Sequence, residues 1–194
     1  TSGSTMNINS ALIQANNNGL DGLGMFAASG STMNINVTND AVNDGALAQN
    51  GRDAFHIEQL VGSSKVNLFV DPTDASQSGR DGLNFSLANG STLKTTFLDV
   101  NLSNSVESTV DGLMNNANLE LVFDHTTGDF SGQHGLSLIA NAGSRADMRI
   151  SNGTLANSSQ SAVNTFDAVN IHADASTVDL VMFNTPTDNQ GSLG

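Results

Sequence analysis

The 194-residue sequence contains no cysteine, tryptophan or tyrosine, and only 5% of its residues are aromatic. The missing cysteine excludes disulfide bonds as a source of stability. The missing large aromatics exclude a core built around such anchors. Charged residues are also scarce at 13%, yet apolar residues make up 38% and recur at regular places. This composition is too apolar for a disordered tail, so we expect a folded protein with a core of small side chains.

Positive charge is also in short supply. Six Lys and Arg stand against nineteen Asp and Glu, and the formal net charge is −13. Such a chain repels a phosphate backbone, so nucleic acid is not an expected partner. No run of about 18 apolar residues exists, and no transmembrane segment is therefore predicted. The sequence begins at Thr1 without a signal-like segment, so we expect a processed protein or a fragment of a longer chain.

Two short motifs recur along the whole chain. A Gly-Ser or similar small pair precedes one alternating segment, and Gly-x-Asp-Gly-Leu or a variant of it precedes a second. The residue at the Asp position lies nine residues before the Gly of the next pair in four copies: Asp21 and Gly30, Asp53 and Gly62, Asp81 and Gly90, His134 and Gly143. This constant spacing indicates a structural repeat. The repeats begin near residues 3, 30, 62, 90, 116, 143 and 175, in a single domain over 1–194. The period is 27–32 residues, apart from a step of about 26 between 90 and 116.

Both halves of each repeat alternate with the period of two that is typical of β-strands, as in 32–37 and 83–87. Leucine-rich, ankyrin and helical-hairpin arrays have similar periods but need helical segments, and only 41–49 offers a weak candidate. Equivalent strands stacked in parallel about 4.8 Å apart fit the pattern best. The predicted fold is an all-β, right-handed parallel β-helix (β-solenoid) of about seven rungs, with its hand taken from the bias of parallel crossovers.

The same alternation predicts which side chains point inward, in one column for each half of the repeat. The first predicted core column is Met6, Met33, Val66, Leu93, Leu119, Ala146 and Val178, and the second is Leu23, Phe55, Leu83, Leu113, Leu136 and Phe166. The glycines predicted to form structural turns are Gly19, Gly22, Gly51, Gly79, Gly82, Gly112, Gly132 and Gly135. Outward amides such as Asn7, Asn34 and Asn67 are expected to hydrogen-bond between rungs and stiffen the rod.

The aspartates of the second motif are its most distinctive chemical feature. Asp21, Asp53, Asp81 and Asp111 should stack at the rung spacing, where unit charges about 5 Å apart repel by roughly 1 kcal/mol in water and about 3 kcal/mol at an effective dielectric of 20. Either each carboxylate accepts backbone N–H bonds in its own turn, or the four form a metal site that binds Ca²⁺ between rungs. Gly-x-Asp-x-Leu matches half of the calcium-binding nonapeptide of the toxin-repeat family, although here it occurs once per turn and lacks the leading Gly-Gly. Calcium is the only cofactor that the sequence suggests.

In its Asp-Gly-Leu turns and Gly-Ser pairs, the chain resembles right-handed parallel β-helix segments of large secreted bacterial surface proteins. These include autotransporter-like passengers and long repeat proteins of marine bacteria, and the resemblance covers essentially the whole chain. It implies a non-catalytic structural or adhesive element at the cell surface, outside a bacterium. The expected partner is either a second copy, in a filament assembled end to end, or the rest of a longer chain, with surface glycans as further partners.

Two other functions remain open from the sequence. Catalysis on a β-helix usually means polysaccharide lyases and hydrolases, and Asp71 with Asp74 and Asp124 with Asp129 are the carboxylate pairs for such chemistry. The lack of Trp and Tyr removes the usual stacking surfaces for sugars, so no catalytic residue is predicted. Ice binding would need a regular Thr-x-Thr face, and the threonines are scattered.

Overall fold

The computed structural model describes residues 3–11, 13–38, 48–156, 158 and 167–187, without the side chains of 59–61. These residues form strands, turns and irregular segments and contain no helix. The seven strands of the first sheet are β1 (Thr5–Ser10), β3 (Thr32–Thr38), β5 (Lys65–Asp71), β8 (Thr92–Leu98), β11 (Asn118–Asp124), β13 (Arg145–Ser151) and β15 (Thr177–Phe183). The six strands of the second are β2 (Leu23–Ala28), β4 (Phe55–Val61), β7 (Leu83–Ala88), β10 (Val110–Asn115), β12 (Leu136–Asn141) and β14 (Val169–Ala173).

Every strand pairing in these sheets is parallel, and the chain alternates between the two sheets. Side chains that bond across neighbouring strands of the first sheet lie 26 to 33 residues apart. A third, short sheet pairs β6 (Thr73–Asp74) with β9 (Val100–Asn101), and single bridges extend it to Thr127 and Thr154. The predicted all-β class and parallel pairing are confirmed, and the arrangement is compatible with a β-solenoid.

The Gly-Ser pairs occupy the corner between the two large sheets. Gly30 has a φ of 73°, a left-handed conformation that side chains disfavour. The serine that follows caps the corner, because the N–H of Ala28 donates to Ser31 Oγ at 3.1 Å and the N–H of Ala88 donates to Ser91 Oγ at 3.1 Å. Positive φ occurs at all the predicted repeat starts after the first, namely Gly30, Gly62, Gly90, Asn116, Gly143 and Ala175.

The first predicted core column coincides with one row of the seven-stranded sheet, since its members pair in register from Met6 through to Val178. The middle members, Val66, Leu93, Leu119 and Ala146, are buried. Met33 and Val178 are half-buried. Met6 is 52% exposed despite its inward position, because β1 is an edge strand of this sheet. Burial in this row therefore decreases toward the edges of the sheet.

The second predicted column differs from the structure at two places. Leu23, Phe55, Leu83 and Leu136 share a row, but Val110 takes the fourth place and Val169 the sixth. Leu113 is 47% exposed on the outer face, so its predicted core position is wrong. The predicted Phe166 lies outside the described residues.

Packing around Gly112 explains the shift in this repeat. Gly112 pairs with Phe85 and is buried inside β10, so it does not form the predicted turn. A Cβ on Gly112 would overlap the Phe85 ring, with Cε1 only 2.8 Å away. The Asp-Gly-Leu triplet at 111–113 thus lies in the strand, and 108–110 takes the place that Asp81-Gly82-Leu83 has one repeat earlier.

The remaining predicted turn glycines precede strands of the six-stranded sheet. A Cβ on Gly51 would lie 2.6 Å from the carbonyl oxygen of Gly19, one repeat earlier. A Cβ on Gly135 would lie 2.6 Å from the carbonyl oxygen of Ala168, one repeat later. Because glycine has no side chain, successive turns can stack closely at these positions. The turns of this kind contain Gly19, Gly22, Gly51, Gly79, Gly82, Gly132 and Gly135.

Candidate functional site

The turn before the six-stranded sheet positions a row of polar side chains that we call the aspartate column. Main-chain hydrogen bonds between successive turns show which residues are equivalent. Examples are Ala54 N–H to the Asp81 carbonyl and Gly135 N–H to the Asp167 carbonyl. The column consists of Asp21, Asp53, Asp81, Ser108, His134 and Asp167. Asp111 is not a member, because it lies in β10, aligned with Asn84 and Ser137. Three of the four predicted metal ligands therefore lie in one column, and the fourth is displaced by three residues.

Side chains of this column accept hydrogen bonds from the next repeat. Asp21 Oδ1 lies 3.4 Å from the backbone nitrogen of Asp53, and Asp53 Oδ1 lies 3.2 Å from that of Asp81. Asp81 Oδ1 accepts the N–H of Ser108 at 2.9 Å. The sequence predicted capping within each turn, whereas the carboxylates cap the turn that follows. The column therefore ties successive repeats together.

The second oxygens of these carboxylates also have partners. Arg52 contacts Asp21 with two nitrogens, Nε to Oδ1 at 3.0 Å and Nη2 to Oδ2 at 2.7 Å. His56 Nδ1 lies 2.9 Å from Asp53 Oδ2, with the tautomer unassigned. Asn84 Nδ2 donates to Asp81 Oδ2 at 2.9 Å. Arg80 Nη2 also lies 3.7 Å from Asp81 Oδ2. Hydrogen bonds and two cations thus offset the repulsion between stacked carboxylates.

Asp81 is a column member whose pKa is shifted by its surroundings. It is 1% exposed, and burial raises its pKa to about 6. The N–H of Ser108 and the amide of Asn84 act in the opposite direction, because they stabilise the carboxylate, while the charges of Asp111 and Asp53 raise the pKa further. The column therefore contains a buried acid that titrates in mildly acidic solution.

Among the described residues, one group of three potential metal ligands is close enough to share an ion. Atoms of Asp21, Asp53 and His56 lie within 4.8 Å of one another. Calcium prefers six to eight oxygen ligands, and an imidazole nitrogen does not suit it. A cation bound here would also have to displace Arg52 from Asp21. The geometry of this cluster therefore favours the capping role of the carboxylates.

The carboxylate pairs considered for catalysis also bond between repeats. Asp124 accepts Ser151 Oγ at 2.8 Å and Asn152 Nδ2 at 2.9 Å, and these two hydrogen bonds hold its pKa below the usual range. Asp129 Oδ1 accepts the N–H of Ala156 at 2.9 Å. Asp74 Oδ1 accepts Asn101 Nδ2 from the next repeat at 3.1 Å and the N–H of Ser76 within its own turn at 3.1 Å. A lowered pKa is the opposite of what a general acid needs.

The outer face of the seven-stranded sheet carries the asparagine row that the sequence predicted. Asn34 Nδ2 donates to Asn7 Oδ1 at 2.7 Å, and Asn67 Nδ2 donates to Asn34 Oδ1 at 2.7 Å, which confirms the expected bonding between rungs. In the next two strands, Lys94 and Glu120 form an ion pair at 2.6 Å. Polar side chains therefore occupy this outward row in five successive strands, bonded in one group of three and one pair.

A shallow depression of about 420 Å³ adjoins this row, a feature that alternation alone did not predict. None of the described residues that line it is a carboxylate, although the protein is strongly acidic. Its lining includes Asn7, Asn9, Asn34, Asn36, Asn67, Phe69, Lys94 and Thr96. The signal in the sequence was the clustering of asparagine at outward positions of the first three repeats.

Comparisons with protein-family models, curated proteins and solved structures found no match to this chain. No helix in the described part of the chain has the length and apolar character needed to cross a membrane.

Proposed function

We propose that this chain is a right-handed parallel β-helix that serves as a non-catalytic structural or adhesive element outside a bacterial cell, assembling end to end into a filament. The observation that carries the proposal is the unpaired edges of the two large sheets. Both sheets end in parallel strands whose outer edges have no partner among the described residues. Unpaired strand edges recruit other strands unless they are covered.

Support for a helical winding comes from the order of the strands. The chain passes in turn through the seven-stranded sheet, the segment that contains the short third sheet, and the six-stranded sheet. Each new strand lies next to the preceding strand of the same sheet. Parallel neighbours require a crossover connection, and such crossovers are right-handed in nearly all proteins. A solenoid satisfies both requirements with short connections.

Support for a structural role comes from the use of the polar side chains. Carboxylates that a catalytic site would employ, such as Asp81 and Asp124, bond to the next repeat. Buried apolar rows and the asparagine row also run from repeat to repeat. These contacts stiffen a rod along its axis.

Electron microscopy of the purified chain, over a range of concentrations, tests the assembly. We expect filaments of uniform width that lengthen with concentration. Uniform monomeric particles at every concentration would overturn the assembly. The variant Ile8→Lys is the informative comparison, because Ile8 is 40% exposed on the edge strand β1 and a lysine there should shorten the filaments without unfolding the protein.

Polysaccharide binding is a second candidate function, favoured by the depression beside the asparagine row. Its described lining offers amide donors and acceptors and the half-buried ring of Phe69, without a carboxylate. Calorimetric titration with neutral and uronate-containing oligosaccharides tests this function. Asn36→Ala should weaken binding, and Asn118→Ala, on the same sheet but outside the depression, should not. Equal effects of both variants, or no binding of either sugar class, would exclude the site.

A further inference from the structure

The two edges of the seven-stranded sheet carry apolar side chains in inward positions. On β1, Met6 is 52% exposed and Ile8 is 40% exposed, whereas Val66 in the same row as Met6 is fully buried. On β15, Val178 and Leu180 are half-buried. No described strand pairs with the outer edge of β1 or of β15. Within the described part of the chain, each edge therefore lacks one neighbour that every inner strand has.

The register of this sheet specifies how those edges would meet. Each strand pairs with the next so that equivalent residues stay aligned, from Thr5 on β1 to Thr177 on β15. We infer that β15 of one copy pairs in parallel with β1 of a second copy, with Thr177 opposite Thr5. This inference rests on the end-to-end assembly proposed above and specifies its interface.

The inward rows match across such a junction. Val178 would lie opposite Met6, and Leu180 opposite Ile8, so both apolar rows would continue from one copy into the next. A slip of one residue would instead place outward polar side chains against the core, because side chains alternate along a strand. Burial of these apolar groups thus selects the register.

The outward row is complementary as well. Asp179 would lie opposite Asn7, so the Asn7 amide can donate to the Asp179 carboxylate. This contact has the same direction as the bond from Asn34 to Asn7, in which the later repeat donates to the earlier one. In the aligned part of this sheet, no like charges would face each other across the junction.

The six-stranded sheet has one strand fewer than the seven-stranded sheet, so it does not pair directly at this junction. When β1 of the second copy follows β15 by one strand spacing, its β2 lies two strand spacings, about 9.6 Å, from β14. The proposed junction therefore joins the two copies through the seven-stranded sheet alone. A head-to-tail contact of this kind does not close, and it generates a filament.

The absence of native cysteine gives a direct test by cross-linking. Asn9 and Val181 occupy one outward row and are both exposed, so Asn9→Cys and Val181→Cys should be tolerated. Across a parallel junction their Cα atoms would lie about 5 Å apart, which is within the range of a disulfide. The matched control pairs Thr5→Cys with Val181→Cys, four residues out of register and about 13 Å further along the strand.

The two single-cysteine variants of each pair are mixed and oxidised, and covalent dimers are measured on a non-reducing gel. We expect about tenfold more dimer from Asn9→Cys with Val181→Cys than from the control pair, because only the first pair satisfies disulfide geometry. Filaments in the microscope with equal or greater cross-linking of the control pair, or with no cross-linking of either pair, would overturn the register and leave the assembly standing. Absence of both filaments and dimers would overturn both.

Discussion

The backbone N–H of Asp81 donates to Asp53 Oδ1, which lies 3.2 Å away and one repeat earlier in the chain. The same relation links Ser108 to Asp81 at 2.9 Å. Acidic side chains in a protein of net charge −13 therefore connect one repeat to the next. The connection requires Asp81 to be buried, and the energetic consequence of that burial can be measured.

The stability of the protein should depend on the titration of Asp81. Burial raises the pKa of Asp81 from 3.8 to about 6, so between those values the folded state binds more protons than the unfolded state. The free energy of unfolding contributed by this group is therefore greatest below pH 3.8 and falls as the pH rises through 6, by up to about 3 kcal/mol. Urea unfolding at pH 5 and pH 7.5 measures the part of this fall above pH 5, about 1 kcal/mol.

Asp81→Asn isolates this effect, because an amide keeps an acceptor for the Ser108 N–H and does not titrate. We expect the variant to lose stability less steeply than the wild type between pH 5 and pH 7.5. Asp129→Asn, a carboxylate that also accepts a backbone N–H from the next repeat, serves as the control. Identical slopes for wild type and Asp81→Asn would contradict the assignment.

Gly112 should resist substitution because of the Phe85 ring. Gly112→Ala would place a Cβ inside the space of that ring, and we expect a loss of about 1–3 kcal/mol in the free energy of unfolding. Phe85→Leu in the same chain should relieve part of this loss, which a double-mutant cycle measures as a favourable coupling. Gly24→Ala, where the nearest atom is 3.7 Å from the new Cβ, should change stability by less than about 0.5 kcal/mol. Additive effects of the two core substitutions would refute the contact.

Calcium should have little effect on the melting temperature of the wild type. Arg52 neutralises Asp21 through two hydrogen bonds, and the neighbouring His56 is a poor calcium ligand. Calorimetric scans in EDTA and in calcium chloride should therefore coincide, with magnesium chloride as the ionic-strength control. A rise in melting temperature specific to calcium would show that the carboxylates bind the ion.

The asparagine row should contribute a small and measurable stability. Asn34→Ala removes two side-chain hydrogen bonds of 2.7 Å, and each such bond is worth about 0.5–1.5 kcal/mol. We expect thermal or urea unfolding to report a loss of about 1–2 kcal/mol. Asn118→Ala, an exposed outward position with no such side-chain bond among the described residues, should be close to neutral. Equal losses in both variants would indicate that the row is not stabilising.

Much of the architecture followed from local patterns in the sequence. Alternation with a period of two placed Val66, Leu93 and Leu119 in one inward row, because side chains of a strand point to opposite faces in turn. The Gly-Ser pairs located the corners, since glycine accepts the left-handed conformation seen at Gly30 and Gly90. These are properties of a residue and its near neighbours, and the sequence displays them directly.

Reliance on local patterns also caused the wrong alignment of the repeat at 108–115. Asp111-Gly112-Leu113 matches the turn motif locally, and both Val110 and Leu113 are apolar, so a single repeat offered no means to choose between the two alignments. The choice depends on the Phe85 ring of the preceding repeat, which needs the space above Gly112.

The sequence by itself determined the period, the strand alternation, the corner residues and the outward asparagine row, because each of these arises from local chemistry repeated along the chain. Only the tertiary structure decided that Asp53 caps the repeat that follows it and that Arg52 forms an ion pair with Asp21. It also decided that Leu113 faces outward while Val110 faces the core. Those outcomes depend on contacts between residues about one repeat apart. Such contacts form only when the chain is folded, so the local sequence does not display them.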